Sequence, residues 1–317
     1  MAHRLGTSSS DIVAAVDYLR SGGVVGVPTE TVYGLAASAF NVEAVSEIYR
    51  LKGRPANNPL ILHIHHQDQI EQIASTIPSC LPRIVEAFWP GPLTVVLKSK
   101  TSVPEIVRAG GDTVAIRLPS HPVFQQLLAT INEPLAAPSA NRSNHISPTT
   151  ASHVEDDFPK EPFPILDAGP TATGLESTVL SLVGVPTVLR LGATSVESLK
   201  QILPELTIKI PSHQTDSPGT SKRHYAPRTP FHIWSNQNLT TEDGVLLFGT
   251  PVPEGADHVW DLSDDPVQAG KRLYAALREM DQSHLRNLYV VLPHQDHPNQ
   301  TDWLAITDRL RRATQSG

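Results

Sequence analysis

Residues 211–230, "PSHQTDSPGTSKRHYAPRTP", divide the chain in two. The stretch is polar, rich in proline and without hydrophobic periodicity, so it reads as a linker or a long loop. A chain of 317 residues is long enough for a separate core on each side of it.

Before the linker, strands and helices alternate irregularly. Ser10 or Asp11 can cap a helix with Ile12, Val13, Val16 and Leu19 at helical spacing, ending at Gly22-Gly23. "VVGV" (24–27) reads as a buried strand running into the loop "PTETVYGL". A second helix starts at Asn41 and stops at Gly53, a residue suited to a left-handed terminator. "LILHI" (60–64), "LTVVL" (93–97) and "TVAIRL" (113–118) read as strands, and "HPVFQQLLAT" (121–130) as a helix with Pro122 at its first position. "STVLSL" (177–182) and "PTVLRL" (186–191) read as two strands joined around Gly184. Thr194 and Glu197 have capping-box spacing before a helix at 196–203. This order predicts a mixed sheet with helices, not a clean doubly wound fold. After the linker, "GVLLFGT" (244–250), "DPVQAGKRLYAALREM" (265–280), "LYVVL" (288–292) and "WLAITDRLRRA" (303–313) give β-α-β-α and a small, partly parallel sheet.

Composition removes several function classes. The formal charge of −7 argues against coating nucleic acid, which takes a net basic footprint, although a local basic cleft stays open. Cys80 is the single cysteine, so the chain can form neither an internal disulfide nor a Cys-based zinc site. The N-terminal residues "MAHRLGTSSSD" lack a signal peptide's apolar region, and no apolar run nears the ~20 residues of a membrane span. A cytosolic protein is expected.

Chemistry concentrates in a few loops. In "LKGRPANNPL" (51–60), Lys52 and Arg54 flank a glycine, and Pro55 and Pro59 stiffen the loop beside them. The cations suit either a solvated helix end or a clamp for an anion; no P-loop lysine is present, since neither "GKS" nor "GKT" occurs. "APSANRSNHISPT" (137–149) holds Ser139, Asn141, Ser143, Asn144 and Ser147, hydroxyls and amides able to bind phosphate or a purine edge, or simply to stabilise a turn. Arg117 sits in an apolar strand and needs an anion, either a ligand carboxylate or a structural partner. His63 and His65 share a strand face with His66 beside them, but no third metal ligand has suitable spacing. No Ser–His–Asp set, paired acids or nucleophile elbow stands out.

Taken together, "PTETVYGL", "LKGRPANNPLILHI", "WPGPLTVVL", "VAIRLPSHP", "APSANRSNHISPT", "LESTVL" and "VLRLGATS" follow the order found in YrdC-like threonylcarbamoyl-AMP synthases. The chain resembles their long form over nearly its whole length. That resemblance implies a YrdC-like twisted mixed sheet with helices (1–210), a linker or lid (211–230) and a small Rossmann-like α/β domain (231–317). It also implies a reaction: L-threonine, bicarbonate or CO2 and ATP give L-threonylcarbamoyl-adenylate and pyrophosphate. A separate tRNA-modifying transferase complex then uses the adenylate, while direct tRNA binding stays open.

By the same resemblance, Lys52 and Arg54 are the catalytic cations of a nucleotide set with Ser139 and Asn141. Asn58, Thr113, Ser147, Arg190, His224 and Tyr225 are the further ATP contacts. Thr31, His63, Arg117, Ala137 and Ser177 fall on the threonine side. Mg2+ is expected to come with ATP, held mainly by phosphate oxygens, and residues 217–228 are expected to act as a lid. Thr220, Ser221 and Lys222 depart from the usual Met-Lys-Tyr of the linker signature. An RNA-binding module and a carbamoyl-adenylate-handling transferase are the competing readings. Net acidity opposes the first, and the lack of cysteine pairs for a zinc domain opposes the second.

Overall fold

In the computed structural model, residues 3–209, 224–293 and 303–315 are described. Thr220, Ser221, Lys222 and the first part of the expected lid, 217–223, lie outside them. The strands are β1 (His3–Leu5), β2 (Val25–Val27), β3 (Gly34–Ser38), β4 (Ile61–His63), β5 (Leu93–Lys98), β6 (Thr113–Arg117), β7 (Leu135–Ala136), β8 (Pro164–Leu166), β9 (Thr178–Ser181), β10 (Thr187–Arg190), β11 (Thr207–Ile208), β12 (Phe231–Ile233), β13 (Asp243–Leu247), β14 (His258–Asp261) and β15 (Asn287–Val290). The helices are α1 (Ser9–Arg20), α2 (Val42–Lys52), α3 (Ile70–Ile73), α4 (Leu81–Phe88), α5 (Glu105–Arg108), α6 (Pro122–Ile131), α7 (Ala151–Asp157), α8 (Val196–Ile202), α9 (Pro266–Gln282) and α10 (Leu304–Ala313).

Strands β1 to β11 form one mixed sheet in the order β1-β8-β2-β3-β7-β4-β6-β5-β9-β10-β11. Its central strands are buried on both faces, which is why β2 and β3 read as unbroken small and apolar residues rather than as alternation. Parallel β4 and β6 put His63 opposite Arg117 and Ile61 opposite Ala115. Antiparallel β5 then sets Val96 against Ala115. The register therefore lines one face with a polar row beside an apolar one, and the site lies on that face.

Helix ends follow local side-chain chemistry. The cap of α1 is Ser8, with Asp11 completing a capping box from inside the helix, so the start lies earlier than Ser10 or Asp11 would place it. On its inner face Ile12, Val16 and Leu19 are buried, each worth ~1.5–3 kcal/mol over exposure. Asn41 caps α2, and Gly53, at φ 58°, ends it in the left-handed region. For α8 the cap is Ser195, whose hydroxyl accepts from the Ser198 N–H, and not Thr194. Thr194 is already engaged: its N–H donates to Thr178 Oγ1 and its hydroxyl to the Pro92 carbonyl.

The smaller sheet, β12-β15-β13-β14, is parallel throughout, where the sequence suggested only partly parallel pairing. Helix α9 starts as its sequence predicts, with Asp265 as cap and Pro266 in the first turn. One hydrophobic cluster runs from the large sheet into α9, α10 and the small sheet. At this junction the backbones nearly touch: a Cβ on Gly174 would lie 2.6 Å from the Gly270 carbonyl oxygen.

Candidate active site

Lys52 and Arg54 reach the site through the turn that ends α2, and neither is a solvated charge. Lys52 is 3% exposed, which removes the solvated helix end of its two sequence readings. Its ammonium donates to the carbonyls of Ser139 (2.5 Å) and Asn141 (2.6 Å), so it ties α2 to the Ser-Ala-Asn loop. Burial, followed by the neighbouring Arg54 charge, pushes its pKa well below the ordinary lysine value. Arg54 folds over its own loop, donating to the Asn58 carbonyl, to Asn58 Oδ1 and to the Pro59 carbonyl. Burial lowers its pKa to about 10, which leaves it charged at neutral pH.

Around Arg54 a cleft is lined by Thr31, His63, Arg117, Ala137, Ser139, Ser177, Arg190, His224 and Tyr225, together with Glu176. Residues from seven segments, separate in sequence, meet there. Asn58, Asn141 and Ser147 are buried behind this lining, at 3%, 1% and 0% exposure, and support it through hydrogen bonds. Asn141 donates to the Arg142 and His145 carbonyls, and Ser147 to Glu176 Oε1 at 2.6 Å. Thr113 does not line the cleft; it begins β6, four residues from Arg117 on the same face.

Three arginines give the cleft its field. Arg117 pairs with Glu30 at 2.8 Å, donates to Thr31 Oγ1 at 3.0 Å and to the Gly91 carbonyl at 3.2 Å. Arg190 donates to the carbonyl and the hydroxyl oxygen of Ser177. His63, desolvated and next to Arg117, has its pKa lowered to about 3, so its imidazole is neutral at physiological pH. Ile61 is part of the lining and belongs to a small apolar cluster with Val96, Ala115 and Val179, which gives the cleft one apolar side chain beside its cations.

Three polar atoms of the lining lack partners. His63 Nδ1, His224 Nδ1 and the Tyr225 hydroxyl are buried with no hydrogen-bond partner among the described residues. A larger cavity, about 770 Å3, lies between α7, the end of the linker and α9, but its acids and bases include none of the expected residues. The cleft itself holds only about 60 Å3, with His224 and Tyr225 in its lining. That volume suits a few waters and not a nucleotide.

The sequence reading missed Glu176 and Glu30. Glu176 lies in "LEST", next to the expected Ser177, and is buried at 6% exposure. It accepts from Ser147, from the Tyr274 hydroxyl (2.9 Å) and from Arg309 Nε (3.0 Å). Its pKa is lowered: burial opposes the charge, and Arg309 and Arg190 more than offset that. Among the described residues it is the one carboxylate lining the cleft, and its bonds leave nothing for a cation. Nor does any group of three or more His, Cys, Asp or Glu among them suit a metal ion; His63 is buried while His66 is exposed.

Residues 17–192 match the family described as "Telomere recombination", and residues 194–315 match "Threonylcarbamoyl-AMP synthase, C-terminal domain". With the fold and the cationic cleft, these matches define a two-domain α/β nucleotidyltransferase. Over 320 residues the chain is 37% identical to the threonylcarbamoyl-AMP synthase of Pyrococcus abyssi, covering 95% of this chain and 93% of the relative. The Bacillus subtilis threonylcarbamoyl-AMP synthase is 36% identical, with 98% and 94% covered. The crystal structure of P. abyssi Sua5 complexed with L-threonine matches with a TM-score of 0.89 at 34% identity, covering 99% of this chain and 97% of that one. The chain belongs to the threonylcarbamoyl-AMP synthase family. Among the described residues, no helix is long and apolar enough to cross a membrane.

Proposed function

We propose that the cleft joins L-threonine, bicarbonate or CO2 and ATP into L-threonylcarbamoyl-AMP with release of pyrophosphate. The observation that carries this reading is the gathering of Arg54, Arg190 and Arg117 around one cleft that also holds apolar Ile61 and neutral His63. The threonine amine captures CO2 as a carbamate. A carbamate oxygen then attacks the α-phosphorus, the bond to the bridging oxygen breaks, and pyrophosphate leaves. No enzyme nucleophile takes part; the protein supplies positioning and charge.

On this reading Arg54 and Arg190 face the phosphates with Ser139, while Lys52 keeps the Ser139–Asn141 loop in register. Asn58, Asn141 and Ser147 act from behind, and Thr113 meets the nucleotide at the far end of β6. Arg117 takes the threonine carboxylate on a guanidinium whose direction Glu30 and Gly91 already fix. Thr31, His63, Ala137 and Ser177 surround the rest of the amino acid; a neutral His63 accepts a hydrogen bond and adds no charge repelling the amine. Mg2+ arrives with ATP and is held by phosphate oxygens and water, since the carboxylate of the cleft is taken. His224 and Tyr225 exclude water over a labile mixed anhydride. The product passes to a transferase that acts on tRNA.

The test is pyrophosphate release from ATP by the full chain. The reading requires release to depend on threonine and bicarbonate together. Release in the absence of either one, or with carbamoyl phosphate in place of threonine, overturns it.

A further inference from the structure

Arg309 and Glu176 lie on opposite sides of the linker, 133 residues apart, yet bond at 3.0 Å with the arginine side chain 1% exposed. We infer that Arg309 is a positioning residue of the cleft: through Glu176 and Tyr225, the second domain holds the nucleotide side of the site in shape. The inference rests on the synthase reading for its kinetic consequences and on geometry for its structural ones.

Each part of the Arg309 guanidinium is committed. Nε donates to Glu176, one terminal nitrogen to the Leu191 carbonyl at 2.7 Å, and the other to Asp308 at 2.7 Å. Its flat face lies 4.8 Å from the centre of the Tyr225 ring, a cation–π contact. Tyr274, from α9 of the same domain, donates its hydroxyl to Glu176 and stacks on Tyr225 with ring centres 5.7 Å apart. Two residues of the second domain thus grip the same two residues of the cleft.

Both held residues need holding. Glu176 lines a cleft that is to take a triphosphate, where an uncompensated carboxylate repels the substrate and is itself costly to bury. Arg309 cancels that charge, and the bonds from Ser147 and Tyr274 fix the plane of the carboxyl group. Tyr225 has φ 61°, a left-handed backbone that a bulky residue adopts only where its surroundings impose it. The Arg309 face and the Tyr274 ring impose it here. A simple latch between domains needs none of this aim at cleft residues. The packing of Gly174 against Gly270 already supplies the junction.

The experiment compares the full-length wild type with Arg309→Gln, Tyr274→Phe, Glu176→Gln and the double variant Arg309→Gln/Glu176→Gln, each shown to be folded at the assay temperature. Two readouts are taken: kinetics of threonine- and bicarbonate-dependent pyrophosphate release, and hydrogen exchange of residues 224–228. That segment is pinned by the His224 N–H on the Arg312 carbonyl and the Ala226 N–H on the Asn144 carbonyl. Arg309→Gln should lower kcat/KM for ATP about ten-fold or more, leave the threonine KM within about two-fold, and speed exchange at 224–228. Adding Glu176→Gln should recover most of the kinetic loss, because the harm comes from an unpaired charge. Tyr274→Phe, which keeps the ring, should show a smaller loss in the same direction. Unchanged kinetics and exchange in Arg309→Gln, whatever its Tm, overturn the inference, as does a double variant no better than the single one. If the wild type releases no pyrophosphate in this manner, the synthase reading fails, and exchange at 224–228 alone then decides for or against Arg309.

Discussion

Glu30 and Arg117 form an ion pair at 2.8 Å in which both side chains are nearly out of solvent, 10% and 4% exposed. The sequence left open whether Arg117 met a ligand or a structural partner. In the fold it has a structural partner and still lines the cleft. Removing one member of such a pair strands the other, at a cost of about 3–5 kcal/mol. Glu30→Gln should therefore lower Tm and raise the threonine KM more than the ATP KM. Steady-state kinetics with each substrate varied in turn would show it, and equal effects on both substrates would count against the assignment of Arg117.

Lys52→Ala removes the donor for two carbonyls of the Ser139–Asn141 loop itself. Left unsatisfied, buried carbonyls cost ~1–3 kcal/mol. The expected result is lost activity together with a measurable drop in urea stability, unlike the small change that suits an exposed cation. Lost activity with wild-type stability would place the Lys52 ammonium on the nucleotide instead.

Gly174 has φ 77° and no room for a side chain beside Gly270 and Lys271. Gly174→Ala should destabilise the domain junction by ~1–3 kcal/mol through overpacking and backbone strain. Gly53→Ala is a control for the φ effect alone, since Gly53 is also left-handed at φ 58° but has open space around it. Unfolding curves that drop equally for the two variants would show that close packing at 174 adds nothing.

His63 is buried neutral, with its pKa lowered by burial to about 3, while an unfolded histidine titrates near 6.5. Between those values the unfolded chain binds a proton that the folded one refuses. Stability is thus at its full value above pH 6.5 and falls as the pH drops towards 3. From pH 6.5 to 5 the loss is about 2 kcal/mol from this residue. Urea unfolding across that range should show the decline, and His63→Gln should flatten it by that amount; an unchanged slope would refute it.

Local features were legible in the residues themselves. Asp265 with Pro266, Asn41 and Gly53 each act through neighbours within a few residues, so their roles come directly from sequence. The cations at 52 and 54 were legible as special, but the burial of Lys52 depends on the Ser139–Asn141 loop, 87 residues or more away. Glu176 was passed over because its partners, Ser147, Tyr274 and Arg309, lie 29 to 133 positions away. One signal was present for Arg309. It sits three residues after Ile306, on the buried face of an amphipathic helix, where an unpaired charge has no place. The caps of α1 and α8 lie one to three residues from the expected ones because several serines, threonines and acids compete within a single turn: at α1 the local Ser8–Asp11 box prevails, and at α8 tertiary bonds to Thr178 and Pro92 withdraw Thr194.

Glu176 belongs to the large sheet's side of the molecule, but two of the groups that satisfy it come from the other domain. An acid at this place is therefore a commitment made by the first half of the chain to the second. A shorter protein with the same large sheet and no second domain would leave that carboxylate stranded against the substrate phosphates, and is expected to carry an uncharged residue there. Residue 176 then becomes a compact marker of architecture. A grafted second domain can restore function only if it brings an arginine and a tyrosine to meet it.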